Sequence, residues 1–180
     1  NNGIGIAGIA GGDGINPGVQ LISMGIFSSG DFSTNAKAKE AIVKGSLSTT
    51  NNYGYGINIQ NHSWGGTQQS QEIKEGVNTA WRNHSIFIAS RGNDGSNGNP
   101  IEYPACYDDK KVLNVGASGI DGKYKDGTNG DILIGQQTNV FWSSSYGNGV
   151  DFIAPGCTEL VTTPYNPISP YWWQNTSSTP

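Results

Sequence analysis

The apolar residues of this chain fall into short runs that are separated by stretches rich in glycine, asparagine, serine and threonine. Such runs, bounded by turn residues, are typical of buried strands. The predicted strands are residues 19–27, 57–62, 86–89, 112–118 and 152–156. Much of the remaining length is predicted to form tight turns and loops.

Two segments between these runs carry apolar residues at helical spacing instead. One helix is predicted to begin after Thr34 and another after Ser70, since both side chains can accept a hydrogen bond from a first-turn N–H. The apolar stripes are Ala38, Ala41, Ile42 and Leu47 in the first helix, and Ile73, Val77, Ala80 and Trp81 in the second. Strands alternating with helices over short connections predict an α/β fold with a mostly parallel central sheet flanked by helices.

Polar turns follow two of the predicted strands. Residues 86–89 lead into Gly92-Asn93-Asp94-Gly95, and residues 57–62 lead into Ser63-Trp64-Gly65-Gly66. In open α/β sheets the ligand crevice lies beyond the carboxyl ends of the strands, so Asn93 is a candidate site residue. The alternative is an ordinary loop asparagine that tolerates a left-handed backbone. The paired glycines predict that another backbone lies close to them.

Composition excludes some classes of function. A chain of 180 residues suits one domain with a substantial core. A net charge of −4, few charged residues and no basic run argue against a nucleic-acid or anionic-membrane partner. No apolar run approaches the roughly 20 residues that span a bilayer. The abundance of glycine and small polar residues favours an extracellular enzyme over a helical scaffold.

The cysteines and the first glycines each leave alternatives open. Cys106 and Cys157 form one disulfide or remain separate thiols, and neither lies in a zinc-type cluster. Gly3, Gly5 and Gly8 have the spacing of a dinucleotide-binding turn, which would make the chain an oxidoreductase. That motif needs a strand before it and an acidic residue after the next strand, and neither is found here. A helix start rich in small residues explains the same letters.

Several phrases follow one another along the chain in a specific order. They are Ile-Ala-Gly-Ile-Ala-Gly at 6–11, Asn-His-Ser-Trp-Gly-Gly at 61–66, Ala-Ser-Arg-Gly-Asn-Asp-Gly at 89–95 and Asn-Thr-Ser-Ser-Thr-Pro at 175–180. In this order they resemble the histidine, substrate-binding, oxyanion and nucleophile blocks of the subtilisin-like serine proteases, or subtilases. The ordered set is far more specific than any one phrase.

The resemblance implies a subtilisin-like, three-layer fold with a single partial peptidase domain over residues 1–180, truncated at both ends. It implies a serine endopeptidase in which Ser177 is the nucleophile. The oxyanion donors would be the Asn93 side-chain amide and the Ser177 backbone N–H. An extended substrate would bind as an added strand along Ser63, Trp64, Gly65 and Gly66.

The resemblance also implies partners and surroundings. We expect a peptide or protein substrate, a secreted monomer, and no cofactor for the chemistry. Structural calcium is an open alternative, since subtilases often bind it. The candidate ligands are Asp121, Asp126, Asn129 and Asp131, but their spacing fits no defined calcium loop and a solvated turn explains them too.

The chain departs from the subtilase pattern in three ways. The family's catalytic aspartate precedes the histidine block, and this chain begins after that point. Asn2 falls at the general-base position, where an amide cannot take and return a proton. The last block has six residues where the family has seven, so Ser177 is the nucleophile when it is aligned from the left and Thr176 when it is aligned from the proline.

Two hypotheses explain these departures. In one, the chain is an internal fragment of a subtilase, with Asn2 an irregularity at the fragment boundary, and is inactive by itself. In the other, it is a subtilase-like domain that has lost catalysis and binds peptides. His62 and His84 do not restore the triad, because we expect both to be structural. We expect His62 to be a hydrogen-bonded histidine in a strand and His84 to lie at the end of the second helix.

Overall fold

The structure is a computed structural model. It describes residues 15, 18–27, 34–51, 53–107, 110–119, 121–126, 132–133, 136–137, 142–147 and 149–156. The chain divides into one compact unit formed by residues 1–23 and 159–180 and another formed by residues 24–158. All helices and strands given below belong to the second unit.

The structure contains two α-helices, one 3₁₀ turn and six strands among its described residues. They are α1 (Asn35–Ser46), a 3₁₀ turn (Thr49–Asn51), β1 (Ile59–His62), α2 (Gln71–Arg82), β2 (Ile86–Ser90), β3 (Val112–Ser118), β4 (Ile132–Leu133), β5 (Gln136–Gln137) and β6 (Phe152–Pro155). Four strands form a parallel sheet in the order β1-β2-β3-β6, and β4 and β5 form a separate antiparallel pair. The predicted α/β class with a parallel sheet flanked by helices is confirmed.

Helix α1 begins where the sequence predicts. The Thr34 side chain accepts a hydrogen bond from the Lys37 backbone N–H at 3.2 Å. Ala38 and Ile42 are buried, whereas Ala41 and Leu47 are half-buried. The predicted stripe is therefore confirmed, and it is most deeply buried at Ala38 and Ile42.

Helix α2 is also confirmed, with one exception. Ser70 accepts from the Ile73 N–H at 3.3 Å, and Ile73, Val77 and Ala80 are buried. Trp81 was predicted to be in the apolar stripe but is 54% exposed. It follows Ala80 by 100° of helical rotation, which turns it to the edge of the buried face.

One predicted strand is wrong. Residues 18–27 are all described, and none of them forms a strand. Val19 and Phe27 are exposed, and Leu21 is 91% exposed. Apolar residues alone do not make a strand, because the backbone N–H and C=O groups must also pair with a neighbouring strand.

The core lies between the helices and one face of the sheet. Gln60 of β1 is opposite Phe87 of β2, which is opposite Val112 of β3, so their side chains point to the same face. The buried apolar cluster is Ala38, Ile42, Ile73, Val77, Ala80, Phe87, Ala89, Ala105, Tyr107 and Val112. Among the described residues, no helix is long and apolar enough to cross a membrane.

Candidate active site at the carboxyl ends of the strands

Asn93 lies where the sequence predicts a site. Its turn follows β2 at the carboxyl end of the parallel sheet, and the residue is exposed. A cavity of about 360 Å³ lies at this end of the sheet. It is lined by Ser63, Ser90, Gly92, Asn93, Ala117, Ser144 and Gly156, among others. The cavity is thus formed by the ends of all four strands, as expected for a ligand crevice in an α/β fold.

The turn that carries Asn93 is fixed by a serine segment, residues 143–145. The Ser145 backbone N–H donates to the Gly92 carbonyl at 2.9 Å, and the Asp94 N–H donates to the Ser145 hydroxyl at 3.1 Å. The Gly95 N–H donates to the Ser143 carbonyl at 3.1 Å. All three serines are buried. These bonds hold the backbone on both sides of Asn93, so its side chain is presented from a rigid turn.

The Gly65–Gly66 pair brings a second backbone close. The Gly66 N–H donates to the Tyr103 carbonyl at 3.0 Å, and the Tyr103 N–H donates to the Gly66 carbonyl at 2.8 Å. A Cβ on Gly65 would lie 2.9 Å from the Tyr103 carbonyl oxygen. The predicted close approach is therefore present, and the neighbouring backbone is the segment around Tyr103. Ser63 remains exposed beside the cavity, and Trp64 is half-buried.

Beside this turn, two charged side chains that sequence reasoning missed come close to the site. Arg91 is 3% exposed, and its guanidinium donates to the carbonyls of Pro100 at 3.0 Å and Tyr146 at 3.4 Å. The Glu102 carboxyl lies against Gly92, where any Cβ would overlap it. Burial raises the pKa of Glu102, the nearby Asp94 charge raises it further, and Arg91 lowers it. The sequence signal for Glu102 was a charged residue just before Tyr103-Pro104, in a chain that has few charges.

His62 packs in the core below the site. Its ring stacks on Phe87 with centroids 3.8 Å apart, and its Nδ1 accepts a hydrogen bond from Trp64 Nε1 at 3.2 Å. Its Nε2 is buried and has no hydrogen-bond partner among the described residues. Burial lowers the pKa of His62 from 6.5 to about 4. The imidazole is thus neutral near pH 7, and its position is structural, as the sequence predicted.

His84 lies beyond α2, as predicted. It follows the C-cap Asn83, adopts a left-handed backbone with φ of 60°, and donates its backbone N–H to the Trp81 carbonyl at 3.0 Å. It is exposed and contributes to ending the helix.

Several predicted residues lie outside the described part of the chain. They are Asn2, the glycines at 3, 5 and 8, Asn129, Asp131, Cys157, Thr176 and Ser177. Their roles stay predictions. Cys106 is a half-buried free thiol in the structure. Of the candidate calcium ligands, Asp121 and Asp126 are described, and Asp121 accepts the Lys123 backbone N–H at 3.0 Å. Calcium binding stays a prediction. No cluster of three metal-ligating side chains occurs among the described residues.

Comparison with known proteins decides the family. The profile described as the Subtilase family matches residues 1–179 of this chain. The chain belongs to the subtilase family. Subtilisin DY of Bacillus licheniformis is 31% identical over 155 residues, which cover 85% of this chain and 47% of that protein. The minor extracellular protease Epr of Bacillus subtilis is 31% identical over 110 residues, covering 61% of this chain and 14% of that protein.

A solved structure is also similar. It is the psychrophilic subtilisin-like protease Apa1 of Pseudoalteromonas sp. AS-11, with a TM-score of 0.41, 25% identity, and coverage of 56% of this chain and 19% of that chain. This subtilase chain therefore spans less than half the length of each of these three relatives.

Proposed function

We propose that this chain forms part of the catalytic domain of a secreted serine endopeptidase, in which Asn93 stabilises the oxyanion. The observation that carries the proposal is the position of Asn93 on a hydrogen-bonded turn beside a cavity at the carboxyl ends of the strands. Subtilase membership supports serine endopeptidase chemistry in general. Extracellular occurrence is supported by the printed name of the relative Epr.

The chemistry requires a donor where negative charge develops. When a serine oxygen attacks a peptide carbonyl, the carbonyl oxygen becomes a tetrahedral oxyanion. The Asn93 amide and the Ser177 backbone N–H are the proposed donors. A preorganised donor stabilises the transition state without reorganising, and the Gly92 and Asp94 hydrogen bonds to Ser145 supply that preorganisation. Loss of one such donor costs about 10²–10³ in kcat in subtilisin, a member of the same family.

The substrate is a peptide or protein that binds in extended form. The backbone of Gly66 is hydrogen-bonded to the backbone of Tyr103. A Cβ added to Gly66 would meet no atom within 4 Å, so there is open space beside it. Ser63 to Gly66 therefore offer an open polar backbone for main-chain hydrogen bonds, with the cavity beside it. We propose a monomer, as the resemblance to the subtilases implies.

The nucleophile is proposed to be Ser177, with Thr176 as the alternative from the second alignment. No cofactor takes part in this chemistry. A calcium ion would be structural only, so removing it with a chelator would lower the melting temperature without changing the catalytic residues.

The proposal is tested with the protein in its full natural length. Fluorogenic peptides and a fluorophosphonate probe report cleavage and labelling of the nucleophile. We expect Ser177→Ala to abolish both, while Thr176→Ala retains them. Labelling at Thr176, or cleavage that survives in Ser177→Ala, would contradict the assignment. The same assay on the 180-residue chain tests the expectation that this chain alone is inactive.

A second candidate, a peptide-binding domain without catalysis, is favoured by Asn2. An asparagine at the general-base position cannot shuttle the proton that the serine releases. If the natural protein binds unlabelled peptides but cleaves none, the binding domain is the correct function, and cleavage that appears in Asn2→His would show that Asn2 is what abolishes catalysis. Cleavage by the natural protein excludes it.

A further inference from the structure

Arg91 is a buried charged side chain that follows β2 directly and precedes Asn93 by two residues. It is 3% exposed and is among the residues that line the cavity. Its backbone N–H donates to the Val115 carbonyl of β3 at 2.9 Å, so its main chain is fixed to the sheet. Taking a full charge out of water is costly, so a buried arginine needs a specific explanation.

The guanidinium group joins two segments that lie beside the site. Its Nη1 donates to the Pro100 carbonyl at 3.0 Å, and its Nη2 donates to the Tyr146 carbonyl at 3.4 Å. A planar guanidinium presents its donors in a fixed fork, so it sets the position of both carbonyls. The Asn99 side chain adds a second tie, since it accepts the Tyr146 N–H at 2.9 Å and donates to the Tyr146 carbonyl at 3.2 Å.

The same two segments hold the turn that carries Asn93. Ser145, which directly precedes Tyr146, accepts the Asp94 N–H through its hydroxyl at 3.1 Å. From the other segment, the Asn99 N–H donates to the Asp94 carbonyl at 2.9 Å. A shift of either segment would therefore move the backbone next to Asn93. The guanidinium fixes both segments at once.

The other surroundings of Arg91 do not give it a strong ionic partner. Its Nε is buried and has no hydrogen-bond partner among the described residues. Burial raises the pKa of the nearby Glu102 more than the Arg91 charge lowers it, and no ion pair joins these two residues in the described part of the chain. A buried charge of this kind is weak evidence for a role in stability. Its contacts with the two segments favour a role in positioning.

We propose that Arg91 is a positioning residue, whose guanidinium clamps the two segments beside the turn and so aims the Asn93 amide at the oxyanion. The inference rests on the proposed function and goes beyond it, because the resemblance to the subtilases assigns no role to Arg91. Arg91 acts through Asn93 and not on the substrate. A preorganised donor stabilises the transition state only where its position is fixed, so a small displacement is costly.

The experiment measures kcat and KM on a fluorogenic peptide for Arg91→Met, Asn93→Ala and the double variant of the protein in its full natural length. Methionine is unbranched and apolar and lacks the guanidinium donors. We expect Arg91→Met to lower kcat by about 10- to 100-fold and to leave KM within a small factor, because a misplaced donor loses part of its effect. In the Asn93→Ala background the same substitution should cause little further loss, because residues that act as a unit are not additive.

Two further variants keep the test specific. Arg82→Met removes an exposed arginine of α2, which donates to the Thr79 hydroxyl at 3.2 Å, and should leave kcat unchanged. If circular dichroism shows that Arg91→Met is unfolded, Arg91→Lys takes its place, since an ammonium group cannot reproduce the planar fork. An unchanged kcat in the folded variant would overturn the inference. Equal losses of kcat with and without Asn93 would also overturn it, as would a rise in KM at constant kcat.

The outcomes separate this inference from the proposed function. A loss of activity in Asn93→Ala, with unchanged kcat in the Arg91 variant, supports the function and contradicts the inference. If the wild type cleaves no peptide, the protease function fails, and hydrogen exchange of the Asp94 and Gly95 amides tests the clamp directly. Both amides should exchange several-fold faster in Arg91→Met, while the Val77 amide in α2 is unchanged. Equal exchange in the variant and the wild type contradicts the clamp.

Discussion

The helical side of the sheet and the carboxyl ends of its strands bury different kinds of residue. Between the helices and the sheet, the buried set is mostly apolar and includes Ile42, Val77 and Phe87, with Gln60 and His62 as polar members. At the strand ends, the buried set is polar and charged and includes Arg91 and Ser143 to Ser145. Burial on the helical side follows from the hydrophobic effect. Polar burial is costly unless it serves positioning or binding, so the strand ends are where function is expected.

The largest stability effect is expected on the helical side. Phe87 is 1% exposed and stacks on His62. Phe87→Ala should therefore lower the free energy of unfolding by about 3–5 kcal/mol, measured by urea denaturation. The matched control is Trp81→Ala, which should change it by about 0.5 kcal/mol or less because Trp81 is largely exposed. Similar losses for both variants would contradict this assignment of the core.

The corresponding change at the strand ends should affect catalysis and not stability. Asn93→Ala should lower kcat/KM by about 10²–10³ with little change in melting temperature, because the side chain is exposed. Asn97→Ala, an exposed asparagine four residues along, is the control and should retain activity. If Asn93→Ala loses less than about fivefold, the oxyanion role is wrong.

His62 should make the stability of the protein depend on pH. Its folded pKa of about 4 lies below its usual 6.5, so the unfolded chain binds a proton that the folded protein does not. Stability should be unaffected by this residue above pH 6.5 and should fall as the pH drops toward 4, by roughly 3 kcal/mol in total. Urea denaturation across this range measures it. His62→Met should remove that part of the pH dependence, and a wild-type curve that is flat over the range would contradict the burial of a neutral ring.

Glu102 should make stability depend on pH in the opposite direction. Its folded pKa is raised, so the protonated form favours the folded state and stability is lost as the pH rises through the folded pKa. Glu102→Gln should therefore melt at a higher temperature than the wild type at neutral pH. The difference should shrink as the pH falls below the folded pKa, because the wild-type carboxyl is then protonated. A lower melting temperature for Glu102→Gln at neutral pH would show that the carboxylate has a stabilising partner.

The smallest effect is expected at the surface of the helical layer. Lys39 and Glu75 join α1 to α2 by an ion pair of 2.6 Å, and that contact lowers the pKa of Glu75 through its hydrogen bond and charge. Both side chains are exposed, so solvent screens the pair. Lys39→Gln should leave the melting temperature nearly unchanged. A decrease as large as that of Phe87→Ala would mean that the two helices depend on the pair.

The sequence predicts the helical layer well because local rules suffice there. Capping by Thr34 and Ser70 and the stripes they precede depend only on residues a few positions apart. Residues 18–27 fail because a strand depends on a neighbour that the local pattern does not reveal. The position of Asn93 beside the cavity was predictable from its turn and from the family phrase. For Glu102 the sequence offers only the sign of its charge, because its position beside Gly92 depends on the pairing of Tyr103 with Gly66 across the fold.

The central claim is that Asn93 and Ser177 act in one catalytic step. It is tested most directly by measuring kcat/KM for Asn93→Ala, Ser177→Ala and the double variant of the protein in its full natural length. Residues that act as a unit are not additive, so the double variant should be no slower than Ser177→Ala alone. Losses that multiply in the double variant, or a wild type that cleaves no peptide, would contradict the claim.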